Sequence, residues 1–417
     1  MAGLPMAGLG VRVAQAWQAA RSVMQFGEFE RDGDIRRLRR AADVADLRRI
    51  ARRRLPRGCF DYIDGAAEDE ISAARSVAAY RGWQFRPRVL RDVSEVDISG
   101  TVLGAAVPIP LVIAPTGFGR IAHSAGELAV ARAAQRAGIP YSLSTMGTRS
   151  IEEVAAVCSG RKFFQVYVWR DRALMADLLE RSAAAGYEAI MITVDTAVLG
   201  RRERDVRHGF SLPPKLGLDT IIDGLTHPRW LLDFLSNEPI TFSNCRGASG
   251  GAGADAVALA DYINSQFDPS LSWDDIEWFR DRWDGPVMLK GVLSPADAKI
   301  AADMELDAVI VSSHGGRQLD SAPAPLECVP AVRDAVGDRC EVICDGGIRR
   351  GSDIVKALAL GADSAMIGRA YLYALGAAGE TGVDWLLDYF VEGMTRTMRL
   401  VGVRSTAELA PDLLERV

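Results

Sequence analysis

The stretch Cys340–Ala370, CEVICDGGIRRGSDIVKALALGADSAMIGRA, decides the fold. It opens on a short β-rich apolar run (Cys340–Gly347) and crosses a Gly/Arg loop into an amphipathic helical pattern (Arg350–Ala359). It then returns to a second apolar run, Ser364–Ala370. Runs this short and this continuously apolar suit strands covered on both faces, and a helix between two of them suits a parallel crossover. The same unit repeats upstream. Apolar runs occupy Pro110–Gly117, Pro140–Thr145, Lys162–Val168, Ala189–Asp195, Pro286–Val292 and Asp307–Gly315. Helical patterns lie between several of them at Glu127–Ala137, Ala173–Ala185 and Pro295–Asp303. Eight βα units predict an α/β chain folded as a (β/α)8 TIM barrel. A doubly wound sheet is the alternative, disfavoured because no strand is followed by a GxGxxG turn.

Two segments fall outside the repeat. Residues 1–41 read as an N-terminal extension, and 42–417 as the barrel. Met1–Gly27 lacks acids and carries Arg12 and Arg21, but has no long apolar core, so it reads as an extension rather than a cleaved signal. Ala42–Arg54 is an Arg-rich helical pattern and Cys59–Glu70 starts a second; together they are expected to cap the bottom or side of the barrel. A long insertion, Thr196–Gly285, follows the fourth strand, and such a length is usually functional. It contains the Gly/Ala-rich Ala248–Ala254 and the amphipathic His227–Leu235, HPRWLLDFL. The latter reads first as a helix packed on the barrel, and second as a contact for a membrane surface or partner.

Composition narrows the function. The chain has 417 residues, 48% hydrophobic and 25% charged, with a net charge of −6. That mixture excludes disordered, collagen-like and coiled-coil chains. It also argues against a nucleic-acid binder, which needs a concentrated basic face. Six cysteines without ligand-type spacing read as reduced thiols of a cytoplasmic protein and offer no metal site. No apolar run reaches the ~18 residues of a spanning helix.

Barrel enzymes work at the C-terminal ends of their strands. His314 stands there, in SSHGGRQLD after the sixth run. It reads as a general base or as a structural histidine. Arg317, three residues on, reads as a carboxylate clamp or a surface ion pair. Asp195, ending the fourth run, could orient the imidazole or cap a helix. Lys290 sits in an otherwise apolar strand and calls for an anion. Glycine-containing loops after the seventh and eighth runs, with Arg349 and Arg369, suit a phosphate-bearing cofactor or substrate.

Several motifs carry a resemblance. Tyr62 in DYIDGAAEDE, FFQVYVWRDR (Phe163–Arg172), TVDTAVLGRRERD (Thr193–Asp205), LKGV, SSHGGRQLD, CDGGIRRGSD and IGRA resemble the FMN-dependent (S)-2-hydroxy acid oxidase/dehydrogenase family. That family includes glycolate oxidase, mandelate dehydrogenase and L-lactate dehydrogenase, and the chain looks most like the bacterial L-lactate dehydrogenases. The likeness runs in order from Ala42 to the C-terminus.

The resemblance implies FMN over the barrel mouth. Gly347, Arg349, Gly368 and Arg369 would meet its phosphate, while Thr116, Gly117, Ser144, Gln165, Thr193 and Ser312 would touch its ring edge. Pro115, Asp345, Gly346 and Ile348 would complete the cradle, and Lys290 would stabilise negative charge on the reduced ring. Tyr62, Arg202 and Arg317 would hold a substrate carboxylate, and Tyr167 its hydroxyl. His314 would take a substrate proton, backed by Asp195. The implied reaction is oxidation of an L-2-hydroxy acid, L-lactate to pyruvate first, with electrons passed to a quinone, another carrier or O2.

A larger aryl or peptide-linked 2-hydroxy or 2-amino acid is the alternative substrate, and a non-catalytic flavin-binding or membrane scaffold is the third reading. A homotetramer, with a peripheral contact at the inner face of the membrane, is also implied. Four positions depart from the family pattern. Ser313 replaces the usual Asn, and Ala197-Val198 the usual Pro-Arg. Met146 replaces the tryptophan of glycolate oxidase, and Gly117 an alanine common in oxidases.

Overall fold

The computed structural model describes Trp17 and residues 30–207, 218–245 and 265–417. The Ala248–Ala254 stretch and, Trp17 apart, the Met1–Gly27 segment lie outside the described residues. Eight parallel strands close into the expected barrel: β1 (Leu111–Ile113), β2 (Tyr141–Ser144), β3 (Lys162–Tyr167), β4 (Ala189–Thr193), β5 (Val287–Val292), β6 (Ala308–Val311), β7 (Glu341–Asp345) and β8 (Ser364–Ile367). Each strand pairs with the next, and β8 returns to β1 through Ala365 opposite Leu111. Every strand falls inside its apolar run.

Alternation along the strands divides two cores. Val112, Phe163, Ala189, Met191, Met288, Ala308, Ile310, Ile343 and Met366 fill the barrel interior. The intervening residues, such as Leu111, Phe164, Ile190, Leu289, Val309 and Val342, face the helical shell. The helices start where side chains satisfy the free N–H groups of the first turn. Ser150 and Glu153 form a capping box at Ile151–Val157, Asp171 caps Arg172–Ala184, and Ser294 caps Pro295–Asp303 with Pro295 opening the first turn. The final helix, Arg369–Val401, is broken at Ala378–Gly379 and packs on the N-terminal helix Val44–Arg54.

The N-terminal region corrects one expectation. Val44–Arg54 lies on the side of the barrel, but Arg57–Asp64 lies at its mouth, where Tyr62 and Ile63 face the cavity beyond the strand ends. The bottom is closed instead by a hairpin, Gly100–Val102 with Ala105–Val107. Its two-residue turn, Leu103-Gly104, has both φ values positive (49° and 69°), as a tight hairpin of this twist requires. Val102 and Val107 plug the interior core, and the Glu341 carboxylate accepts the N–H groups of Leu103 and Gly104 at 2.8 Å each. The hairpin reads locally as a turn, and only the closed barrel gives it a hole to fill.

The insertion places helix Pro228–Leu235 on the segment that follows β1, and Asp223 of Leu218–Thr226 accepts the N–H of Arg57 at the start of the mouth helix. Trp230 Nε1 donates to the Ile121 carbonyl, and Asp233 accepts from the Ser124 N–H and hydroxyl. Packing on the barrel combines these hydrogen bonds with the Trp230 ring, which lies against the main core. The apolar residues Ile221, Ile222, Leu225, Leu232, Phe234 and Leu235 are exposed.

Glu341→Ala leaves two hairpin N–H groups without their acceptor. We expect it to destabilise the chain by about 1–3 kcal/mol, read as a lowered thermal midpoint with the strand content of the folded protein unchanged by circular dichroism.

Candidate active site

A cavity of about 420 Å³ opens at the C-terminal ends of the strands. Pro115, Thr116 and Gly117 after β1, Tyr167 at the end of β3, Lys290 on β5, His314 and Arg317 after β6, and Asp345 to Arg349 from β7 line it. Gly368 and Arg369 after β8, Tyr62 and Arg202 complete the set of expected residues on its wall. The remaining expected residues, Ser144, Gln165, Thr193, Ser312 and Asp195, sit behind that wall.

The loop after β6 organises the mouth. His314, Gly315 and Gly316 are consecutively left-handed, with φ of 54°, 64° and 72°. For the histidine such backbone costs on the order of 1–3 kcal/mol, and its neighbours must hold it. His314 Nδ1 meets Asp195 Oδ1 at 3.0 Å, and Gln318 Nε2 donates to the carbonyls of Asp195 and Val198. Asp320 accepts the N–H groups of Ile71 and Ser72 at the start of helix Ile71–Ala78. Gly291 has φ +106°, and a Cβ there would stand 2.7 Å from Asp195 Cβ and Cγ. Glycine is needed at 291 so that Asp195 can reach the imidazole.

Arginines hold the rest. Arg317 Nη1 donates to the carbonyls of Tyr62 and Gly65, at 2.7 and 3.0 Å. Arg369 donates to Ile63, Gly315 and Gly65 at 3.2, 2.7 and 2.7 Å. The guanidiniums of Arg202 and Arg317 both lie over the Tyr62 ring, 5.5 and 4.9 Å from its centroid. This geometry puts Arg202, not the exposed Arg201, beside Tyr62. Burial, and then Arg202, pull the Arg317 pKa down to about 10, so the group stays charged at neutral pH.

Beneath the cavity a hydrogen-bonded floor runs between strands. Ser144 Oγ donates to Gln165 Oε1 (2.9 Å), and Gln165 Nε2 donates to Thr193 Oγ1 (3.0 Å). Ser312 Oγ accepts from Lys290 Nζ (3.3 Å) and the His314 N–H (3.0 Å), and donates to Asp345 Oδ2 (2.6 Å). Lys290 Nζ lies 3.6 Å from the same Asp345 oxygen. The buried ammonium thus has a carboxylate partner, which the strand sequence alone does not reveal. Ser313 Oγ is buried with no hydrogen-bond partner among the described residues.

Environment sorts the titratable groups. Burial lowers the His314 pKa, with Asp195 pulling the other way. Burial pushes Asp195 up, but its interaction with His314, including the hydrogen bond, and the Lys290 charge outweigh it and the net shift is downward. A neutral imidazole beside an ionised carboxylate results. Nδ1–H points at Asp195, and Nε2 keeps a lone pair. Burial also holds the Tyr167 phenol well above its ordinary value, so it stays a donor.

Sequence reasoning missed Asp205, Val206 and Phe267, all on the cavity wall. Asp205 closes the RRERD motif, and its Oδ2 lies 3.3 Å from Arg202 Nε. Burial raises its pKa against the pull of Arg202. Phe267 comes from the far end of the insertion, where Gln266 accepts the N–H groups of Arg170 and Asp171 beside the end of β3. No local pattern marks that return.

Six basic side chains line the cavity (Arg201, Arg202, Lys290, Arg317, Arg349, Arg369) against two acids, Asp205 and Asp345. An excess of four positive charges in a partly desolvated cleft suits a phosphate and a carboxylate together. Left-handed Gly346 and Gly347, with φ of 116° and 79°, expose backbone beside Arg349. The residues present therefore fit a phosphate-bearing flavin.

Asp195→Asn removes the charge that raises the His314 pKa. We expect that pKa to fall further, followed by NMR titration of the imidazoles, of which the chain has only four. An unchanged titration would disconnect the pair.

Comparisons with known proteins agree with this chemistry. A family profile for FMN-dependent dehydrogenases matches residues 51–416. A Mycobacterium tuberculosis protein, named provisionally as an L-lactate dehydrogenase, is 47% identical over 390 residues, 93% of this chain and 92% of that protein. A Caulobacter vibrioides L-lactate dehydrogenase is 44% identical over 381 residues, 90% of this chain and 98% of that protein. The crystal structure of the monotopic membrane protein (S)-mandelate dehydrogenase superposes with a TM-score of 0.86 at 38% identity, covering 91% of this chain and all of that one. On the barrel, the cavity and these matches, the chain belongs to the FMN-dependent dehydrogenase family, and FMN is its cofactor.

Proposed function

We propose that the chain oxidises an L-2-hydroxy acid, L-lactate to pyruvate, and hands the electrons to a quinone, another carrier or O2. The observation that carries the reading is the excess of positive charge around a cavity that also holds a neutral, carboxylate-backed imidazole. When bound, FMN supplies the two-electron sink. Gly346, Gly347, Ile348, Arg349, Gly368 and Arg369 would hold its phosphate side. Pro115, Thr116, Gly117, Ser144, Gln165, Thr193, Lys290, Ser312 and Asp345 would hold its ring side, directly or from the floor.

The chain's own side chains do the rest. Arg202 and Arg317, stacked on Tyr62, clamp the substrate carboxylate. Tyr167 donates to the substrate hydroxyl. His314 Nε2 takes the proton, and Asp195 holds Nδ1–H and stabilises the imidazolium that forms. A second reading, a larger aryl-bearing acid, draws support from an apolar wall of Met146, Leu199, Val206 and Phe267. A substrate panel with product analysis separates the two.

Attachment is part of the proposal. No described helix is long and apolar enough to cross a membrane. The outward apolar residues of Leu218–Thr226 and Pro228–Leu235 suit shallow insertion at a bilayer surface. An acceptor dissolved in that bilayer, a quinone, would then be at hand. The homotetramer belongs to the same proposal and is read by light scattering.

Two outcomes are expected. In an anaerobic titration L-lactate bleaches the flavin and D-lactate does not. The bleaching rate falls about 10²–10⁴-fold in His314→Asn. In the wild type it falls only as pH drops below the ordinary ~6.5 of imidazole, because the lowered pKa keeps His314 unprotonated down to there. A flavin that no small 2-hydroxy acid bleaches would refute the assignment. Separately, the chain cosediments with lipid vesicles, and Leu232→Glu with Leu235→Glu releases it while turnover in detergent is kept.

A further inference from the structure

Thr116 stands on the cavity wall just after β1. Tyr371, in the first turn of helix Arg369–Val401, is buried behind it. Their hydroxyl oxygens are 2.5 Å apart. Tyr371 Oη also donates to the Ala114 carbonyl at 3.0 Å. A carbonyl can only accept, and a phenol has one proton. That proton goes to Ala114, so in the other contact Thr116 is the donor and Tyr371 the acceptor. Burial holds the Tyr371 phenol well above its ordinary pKa, which keeps the proton in place. Thr116 has one proton too, and it is spent on Tyr371. Its hydroxyl can offer only lone pairs to the contents of the cavity.

We propose that Tyr371 is a positioning residue that locks Thr116 as an acceptor-only group, and thereby favours reduced over oxidised flavin. This rests on Thr116 facing the flavin ring, as proposed above. The central ring of an oxidised flavin presents one bare nitrogen lone pair, at N5, and two-electron reduction replaces it with an N–H. A neighbour that only accepts repels the first and bonds the second. Without the Tyr371 hydroxyl the Thr116 proton is free to turn inward, and the preference disappears.

The test is the midpoint potential of bound FMN, measured by dye-equilibrated anaerobic titration without substrate. In Tyr371→Phe the ratio of affinities for reduced over oxidised FMN falls about fivefold, the worth of one neutral hydrogen bond, or ~20 mV for a two-electron couple. Thr116→Val falls likewise, Thr116→Ser keeps the wild-type potential, and adding Tyr371→Phe to Thr116→Val changes nothing more. An unshifted Tyr371→Phe, or a shift that persists on the Thr116→Val background, overturns the inference. Should Tyr371→Phe not fold, equal potentials in Thr116→Val and Thr116→Ser overturn it as well. A colourless wild type that takes up no FMN sinks the flavin reading itself. A yellow one with an unmoved Tyr371→Phe sinks only the lock.

Discussion

Two half-buried guanidiniums hold the mouth of this barrel together. Arg317 and Arg369 together donate to the main-chain carbonyls of Tyr62, Ile63, Gly65 and Gly315. Irregular backbone that is taken out of water has to find partners for its carbonyls. Here charged donors provide them, and such bonds are stronger than neutral ones. The segment after helix Arg57–Asp64 is thereby fastened across the strand ends, and Tyr62 is delivered to the cavity. A guanidinium has five N–H donors, so these bonds leave capacity and charge toward the cleft. The atoms that build the mouth also make it positive.

Within that positive cleft, partners rather than residue types set the chemistry. Asp345 accompanies Lys290 and Asp205 accompanies Arg202, so the cations are held in place without being cancelled. Asp195 faces His314 from the end of β4 and can do so only because position 291 lacks a side chain. Burial keeps the imidazole neutral, while the hydrogen bond it gives and the Lys290 charge favour the ionised carboxylate. Opposed environments of this kind are how neighbouring groups take separate acid and base roles.

Two departures from the family pattern lie side by side on the cavity wall. A Cβ at Gly117 would stand 2.9 Å from Met146 Cβ and 3.1 Å from its carbonyl oxygen. These atoms belong to any side-chain-bearing residue at 146, so the close approach calls for glycine at 117 without specifying methionine, and both residues line the cavity wall. The insertion after β4 is likewise bifunctional. It brings Arg202, Asp205 and Phe267 to the cavity and turns an apolar face outward from Leu218–Thr226 and Pro228–Leu235. The amphipathic pattern of HPRWLLDFL was legible, but not which way it would face. Trp230 and Asp233 settled that by bonding inward.

Much of the molecule follows from short-range pattern. Eight apolar runs, with helical periodicity between them, specify strands covered on both faces, and eight such units without a GxGxxG turn favour the parallel barrel over a doubly wound sheet. His314 and Arg317 fall at one strand end by their spacing alone, and the glycines after β7 and β8 by theirs. What the sequence could not express is contact between distant segments. The placement of Arg57–Asp64 at the mouth, the hairpin plug at the bottom, Phe267 beside the end of β3, the Lys290–Asp345 pair and the proton order through Tyr371 and Thr116 all join residues far apart in the chain. Each depends on which donor meets which acceptor after the barrel has closed. Local periodicity determined the elements, and only the tertiary structure, by satisfying buried polar groups across long separations, decided what they surround.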